Sequence, residues 1–486
     1  MSVYLTVDLG TTGCRSLLLN ERLEQIGESY REYSLILGND RYVEQDAKLW
    51  WLLTLETAEE AILQAGIAGA EVNGISISSQ GITMVPVNKS MKPLCNAISW
   101  LDTRAESQTD KLKRQIGMER IGFLTGKRLD TIYTLPKLLW LKENMPDIYK
   151  ETWKILMPMD FLIGKLTGIC VTDHSMASGT LMYDIRKGCW SKEILSACQI
   201  QEDILPDLKW SGEPVGYVLP EIAEKLGLRS DCVVAVGAQD QKCALLGAGI
   251  RAGVMTVSIG TAGAVCRLWD APYTKEVIRV GWSAYVSRGT WVTEGVVNTA
   301  GTCLRWVRDT LFAGEDYDLL NQEAEIARKR GSGLLFYPYL NGPVCPDYYS
   351  GSEGCFYGVS LYTKRGDFAL AVMEGVAFQV RILLEEMQAY GNVHTLILFG
   401  GGAKSPLWCQ IFADVTGMCI KVLRTVEAAG AGAAILAGIG TGEFDRKKAP
   451  SVLQAAEYTP GEYQKAYQRK YQKFRQVEKR LWSSEE

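Results

Sequence analysis

Two aspartates stand where a chain can use a carboxylate for chemistry. Asp8 follows the apolar run Leu5-Thr6-Val7 and stands just ahead of Gly10-Thr11-Thr12-Gly13, while Asp240 follows Val233-Val234-Ala235-Val236 and Gly237-Ala238-Gln239. A carboxylate at the head of a Gly-Thr loop suits Mg²⁺, held directly or through water beside the β- and γ-phosphates of a nucleotide. The plainer reading of Asp8 is a residue that ends a strand and caps its turn. A carboxylate at the end of a buried strand suits a general base, taking a hydroxyl proton as that oxygen attacks a γ-phosphoryl group. The plainer reading of Asp240 is a loop aspartate bonding its own backbone. With only His174 and His394 in 486 residues, histidine metal sites and Ser-His-Asp chemistry are nearly excluded, so acid–base work falls to carboxylates.

The loop after Asp8 has an echo. Leu5-Thr6-Val7-Asp8-Leu9-Gly10-Thr11-Thr12-Gly13 returns 250 positions later as Met255-Thr256-Val257-Ser258-Ile259-Gly260-Thr261-Ala262-Gly263, with five of nine positions identical. Each copy reads as a strand, a Gly-Thr turn and a second strand, which is a hairpin with a glycine-bearing tip. Such a tip presents backbone N–H groups and threonine hydroxyls to phosphate oxygens. Two copies suggest two similar lobes on one polyphosphate, and Ser258 in place of Asp8 fits a single metal site. Two unrelated Gly-Thr hairpins are the plainer alternative. Gly400-Gly401-Gly402-Ala403 follows another apolar strand and would let adenine or ribose lie against backbone, although glycine runs are also ordinary turns. Gln80, Trp100, Asp102 and Arg104 offer hydrogen bonds and an apolar face suited to a sugar. Taken singly, Trp100 reads as a core residue and Asp102–Arg104 as a salt bridge or cap.

These residues need rigid elements to hold them. The pattern predicts helices over Gln45–Gln64, Arg104–Gln115, Leu135–Asn144, Asp160–Leu166, Cys303–Leu311, Asp367–Tyr390 and Leu407–Thr416, and strands over Gly74–Ser78, Val233–Val236 and Thr395–Phe399. The Trp50-Trp51 pair blurs the apolar stripe of the first helix. The charged tail from Pro460 reads as a surface helix packing back on a lobe. Alternating strands and helices argue an α/β sandwich. The length exceeds the roughly 250–300 residues at which single cores stop growing, so two large domains are expected. The glycine-punctuated stretch 248–253 places their boundary, giving 1–247 and 248–486.

Composition narrows the partners. A hydrophobic share of 47% and a charged share of 22% are ordinary for globular proteins, and 52 basic minus 56 acidic residues gives −4, which offers nucleic acid or an anionic membrane no electrostatic reason to bind. Thirteen cysteines without a CxxC pair fit a reducing cytoplasm better than a disulfide framework. The N-terminus lacks a basic n-region, and the small-apolar stretch Ala428–Gly440 is too short for the roughly 20 residues of a membrane span.

The set of motifs resembles the FGGY family of carbohydrate kinases, within the sugar kinase, actin and heat-shock ATPase superfamily. The resemblance runs through Asp8–Thr12, Asn96–Arg104, Lys137–Asn144, Thr172–Thr180, Ser258–Gly263, Gly358–Phe378 and Gly400–Trp408. It implies an α/β protein of two ribonuclease-H-like (actin-like ATPase) lobes with an active-site cleft between them, using ATP and Mg²⁺. By position it makes Asp240 the catalytic base and Asp8 the magnesium-associated aspartate. Gly10, Thr11, Thr12, Gly260, Thr261 and Gly301 become nucleotide contacts, and Gly401, Gly402 and Ala403 the adenosine loop. Gln80, Gly81, Trp100, Asp102, Arg104, Asp240 and Gln241 become the sugar site.

Within the family the chain is similar to xylulose kinases, which implies γ-phosphoryl transfer to a ketose such as D-xylulose, in the cytoplasm. Where xylulose kinases usually carry Gln-Met-His, this chain has Gln80-Gly81-Ile82, so ribulose, gluconate or erythritol kinases of the same family are the alternatives. A non-catalytic actin-like nucleotide-binding protein is the alternative of another class, opposed by Asn96–Arg104 and Asp240. Family members are often dimers, so a homodimer is a further expectation, with no interface located by the sequence.

Overall fold

The computed structural model describes the chain except residues 1, 40, 273–278, 343–344, 348–350, 389–392, 425–426, 449, 453 and 483–486. Two compact units interleave along the sequence. The first comprises Met1–Gly249, Trp269–Val292 and Glu427–Val452; the second comprises Ile250–Leu268, Thr293–Val426 and Leu453–Glu486.

In the first unit the central sheet runs, in spatial order, Gln25–Glu32, Gly13–Asn20, Val3–Leu9, Val72–Ser79, Val233–Ala235 and Pro214–Tyr217. Val3–Leu9 is antiparallel to Gly13–Asn20, with Asp8 opposite Arg15, and parallel to Val72–Ser79, with Asp8 opposite Ser78. Val3–Leu9 is buried on both faces except at half-buried Asp8, because both are covered, as in a central strand of a helix-backed sheet. The two-residue strand Ala238–Gln239 runs parallel beside the end of Val72–Ser79, placing Ala238 opposite Ser78. Asp8 and Asp240 are thereby brought to one end of one sheet, on either side of the strand that ends at Ser79.

The helix Ala47–Ala65 backs this sheet. Asp46 caps its N-terminus by accepting from the Lys48 N–H, and Gly66 ends it with φ 66°, a left-handed turn that glycine adopts without strain. Trp50 is wholly buried and Trp51 half-buried under the Lys165 ammonium, so the two tryptophans that blur the stripe serve different environments. A second backing helix, Ala428–Gly440, is buried nearly all round. It lies against the helix Asp240–Gly247 at backbone contact: a Cβ on Gly432 would fall 1.9 Å from the Cys243 carbonyl oxygen, and one on Gly247 2.1 Å from that of Ala428. Glycine at both points lets the helix that carries Asp240 dock flush.

The second unit repeats this plan. Its sheet runs Trp291–Val297, Gly263–Trp269, Val254–Ile259, Thr395–Phe399, Cys419–Leu423 and Gln454–Tyr458. Val254–Ile259 is antiparallel to Gly263–Trp269 and parallel to Thr395–Phe399; Cys419–Leu423 continues parallel and Gln454–Tyr458 turns back antiparallel. The first unit has the same directions at the matching places, Val233–Ala235 parallel and Pro214–Tyr217 antiparallel. The nine-residue echo is thus the legible part of a duplicated actin-like sheet. Helices Gly301–Leu311, Tyr317–Arg330, Arg365–Gln388 and Pro406–Thr416 cover it, and the tail helix Gln464–Trp482 packs back by burying Tyr467, Tyr471, Phe474 and Val477. Among the described residues no helix is long and apolar enough to cross a membrane.

Candidate functional site

Asp8 is half-buried near the end of an otherwise buried strand, where Ser78 Oγ donates to its Oδ1 at 2.7 Å. Burial pushes its carboxyl up to about 6; the Ser78 bond opposes this, Glu427 adds to it and Arg15 opposes it. Asp240 opens the helix Asp240–Gly247, and its Oδ1 accepts from the Gln241 backbone N–H at 2.6 Å and from Gln239 Nε2 at 2.5 Å. A carboxylate in a helix's first turn also meets the positive end of the helix dipole, which favours its ionised form.

The sugar candidates divide into two groups. Gln80 and Trp100 join a closed ring of hydrogen bonds with the first Gly-Thr loop. Gln45 Nε2 donates to the Thr11 carbonyl (2.6 Å), Gln80 Nε2 to Gln45 Oε1 (2.9 Å) and Thr83 Oγ1 to Gln80 Oε1 (3.3 Å). The Trp100 N–H donates to Thr83 Oγ1 and its indole Nε1 to Thr11 Oγ1, both at 3.0 Å. The ring fixes Thr11, and with it the first Gly-Thr loop, against the segment Asn96–Arg104. Gln45 and Thr83 were not among the expected site residues, since neither lies in a glycine-rich or carboxylate motif.

Asp102 and Arg104 form the second group. Asp102 is wholly buried and accepts from Arg104 Nε, from its guanidinium NH₂ at 2.7 Å and from the Val43 N–H at 2.7 Å. Arg104 also reaches Glu44, and its guanidinium lies over the Tyr42 and Trp140 rings. This is the salt-bridge reading of the pair, and it anchors the segment rather than presenting a free charge. Lys137, also buried, donates to the carbonyls of Ser99 and Ile132 at 2.6 Å each, and burial pushes its ammonium down to about 7. Gly81 carries no side chain beside Gln239, and Ile82 adopts φ 70° at the turn that follows.

In the second unit the tip Gly260-Thr261-Ala262 is exposed, and Gly260 N–H closes the turn on the Ala262 carbonyl at 3.0 Å. The helix Gly301–Leu311 starts against it. Gly301 N–H donates to the Gly260 carbonyl at 2.9 Å, Thr302 N–H and Oγ1 both reach the Thr261 carbonyl, and a Cβ on Gly301 would fall 2.4 Å from the Gly260 oxygen. Gly400 turns with φ 91° over Ile259, and Gly402 would place a Cβ 2.3 Å from the Ile259 side chain, so both are glycine for packing. Gly401 has nothing within 4 Å of that position and is the open face of the loop. Ala403 N–H donates back to the Gly400 carbonyl in the same turn. Gly10, Gly260 and Gly401–Ala403 therefore lie just past the ends of sheet strands, and Gly301 opens a helix against the second Gly-Thr tip, each within its own unit.

Among the described residues no group of three or more acidic, histidine or cysteine ligands is assembled for a metal. That suits Mg²⁺, which keeps most of its waters and is commonly held by one or two carboxylates together with substrate phosphates. The raised Asp8 carboxyl beside the first Gly-Thr loop is the fitting donor, since a cation there would offset the burial that disfavours its charge.

Residues 3–247 match the FGGY family of carbohydrate kinases, N-terminal domain, and residues 255–441 its C-terminal domain. A xylulose kinase of Bacillus subtilis (strain 168) is 32% identical over 447 residues, 92% of this chain and 89% of that protein. A gluconokinase of the same organism is 28% identical over 471 residues, 94% and 91% of the two chains. The crystal structure of a xyloylose kinase from Brucella ovis superposes with a TM-score of 0.91 at 27% identity, covering 99% of each chain.

Proposed function

This chain belongs to the FGGY family of carbohydrate kinases, and from that premise we propose that it transfers the γ-phosphoryl group of ATP to a hydroxyl of a xylulose-type ketose. The observation that carries this is the shared sheet end in the first unit: Asp8 beside the phosphate loop and Asp240 one strand beyond Ser78. Asp240 takes the proton of the attacking hydroxyl. Gln80, Trp100 and Gln241 orient the acceptor. Gly10, Thr11 and Thr12 in one half, 1–247, and Gly260, Thr261 and Gly301 in the other, 248–486, hold phosphate oxygens, with Gly401 to Ala403 against adenosine. Asp8 would hold Mg²⁺, which when bound neutralises charge on the phosphates.

Charge separates the candidate acceptors. Arg104 is the one cation among the residues assigned to the sugar, and it is already shared between Asp102 and Glu44. A neutral ketose fits that inventory better than a sugar acid such as gluconate, whose carboxylate would need a cation of its own. ADP release with Mg-ATP across xylulose, ribulose, gluconate, erythritol and glycerol tests the proposal. A ketose should give the highest kcat/KM; gluconate or glycerol as the best substrate would remove it.

A further inference from the structure

Gln239 sits at the N-cap of the helix Asp240–Gly247, yet its side chain makes no capping bond. Its backbone N–H donates to Ser175 Oγ at 3.1 Å, and its side-chain Nε2 turns instead to Asp240 Oδ1 at 2.5 Å. Its Oε1 is left buried without a hydrogen-bond partner. A buried orphan acceptor is destabilising, so the amide is held in this pose by its donor end and by packing.

The packing is specific. A Cβ at Gly81 would stand 3.1 Å from Gln239 Cγ and 3.9 Å from its Cδ and from Met176 Sδ. The Gln239 stem therefore passes Gly81 at its Cγ, closer than an ordinary Cβ contact, so a side chain at 81 would press on the methylene that aims the amide. Gly81 and Gln239 are on different elements, the loop after Val72–Ser79 and the strand Ala238–Gln239 that pairs with it.

We infer that Gln239 is a positioning residue for the base: its amide, admitted by Gly81, fixes the rotation of the Asp240 carboxylate and holds it ionised. Two donors converge on Oδ1, the Gln239 amide and the Gln241 N–H, and donors to a charged carboxylate favour that charge. Other ionisable groups near this point are Asp8 on Val3–Leu9, Asp173 ahead of the short helix His174–Ala177, and Lys242 and Cys243 on the helix of Asp240 itself. The Cys243 thiol lies within electrostatic reach of Asp8, Asp173 and Asp240 together. None of these is altered by a change at 239, so a shift on substitution reports the amide. The catalytic meaning of the inference rests on the proposed kinase reaction; the coupling of Gln239 to Asp240 does not.

The test is a ¹³C-carboxyl NMR titration of Asp240, its resonance identified with Asp240→Asn, beside steady-state kinetics of the same proteins. Gln239→Leu should raise the Asp240 midpoint by about one pH unit and lower kcat by about ten- to a hundredfold, with KM for ATP unmoved. Gln239→Glu keeps the shape, removes the donor and adds a like charge, so its midpoint should rise further and the acidic limb of kcat/KM should move with it. Gly81→Ala should shift the midpoint in the same direction by less, and should add little to Gln239→Leu. An Asp240 midpoint that stays within about 0.2 units in folded Gln239→Leu, which removes the donor without adding charge, overturns the inference. A wild-type protein without acceptor-dependent ADP release, but with the midpoint shift intact, would retire the kinase reading and leave the coupling standing.

Discussion

The two units carry the same sheet with different furniture at its working end. In the first, Asp8 faces Ser78 across a parallel pair and receives its hydroxyl; at the matching place in the second, Ser258 faces Phe399. The first loop is tied into a ring of polar side chains through Gln45, Gln80, Thr83 and Trp100, whereas the second loop is latched by backbone to the start of Gly301–Leu311. The duplicated scaffold thus keeps a Gly-Thr hairpin tip in both units, with a carboxylate at its head in the first alone. The lesson is that the shared part, a Gly-Thr tip on a hairpin, suits what the units share, a polyphosphate. The differing parts suit the separate roles proposed for them, an acceptor and its base in the first unit and a nucleoside in the second.

The largest break in that comparison should come from Asp240→Ala, which removes the base from the first unit alone. We expect kcat to fall about 10²- to 10⁴-fold with ATP affinity by calorimetry nearly unchanged. A loss of ATP affinity in proportion would move Asp240 out of the acceptor's role. Asp8→Asn should come next, with a fall in kcat that added Mg²⁺ does not restore. It carries a second signature in the ligand-free protein. The folded pKa of about 6 is raised above the ordinary 3.8, so the fold favours the protonated carboxyl. That contribution is full below about pH 4 and lost as pH rises through 6. Asparagine cannot ionise, so the variant should melt about 2–4 °C above wild type at pH 7.5 and lose that advantage toward pH 4; equal melting at both pH values would contradict the burial argument.

In the second unit, Gly401→Val should raise KM for ATP about tenfold with melting unchanged, because the position is open. Gly402→Val should instead lower the melting temperature, since its side chain would meet Ile259. If the two variants behave alike, the loop is not divided between packing and adenosine as described. The smallest effect should be Ser258→Ala, within about twofold of wild type in kcat, because nothing charged is lost there.

The sequence made some of this legible and hid the rest for physical reasons. The hairpin echo and the strands after it could be read because buried strands are continuous apolar runs and their exits need glycine. Asp8 and Asp240 stood out as charges at the ends of such runs. The rest of the duplication was not visible, because a sheet position can be filled by many apolar residues, so Thr395–Phe399 matches Val72–Ser79 in place but not in spelling. Ala428–Gly440 showed only apolar residues, most of them Ala and Gly. A helix buried nearly all round has no polar face to give it a stripe, and its glycines answer to the Cys243 carbonyl rather than to local structure. Asp102–Arg104 took its plainer form, a buried ion pair. Gln45, read as the start of a helix, and Thr83 and Gln239, read as loop residues, were missed because a lone polar residue gives no sign of its partner until that partner, distant in sequence, is known.

The central claim is that the two loops are not interchangeable, with chemistry resident in the first unit. Moving the carboxylate tests it directly: acceptor-dependent ADP release by Asp8→Ser and by Asp8→Ser combined with Ser258→Asp, each measured against wild type across a Mg²⁺ titration. The account predicts that the double variant is no more active than Asp8→Ser. Recovery toward the wild-type rate in the double variant would show that either loop can carry the carboxylate, and would contradict it.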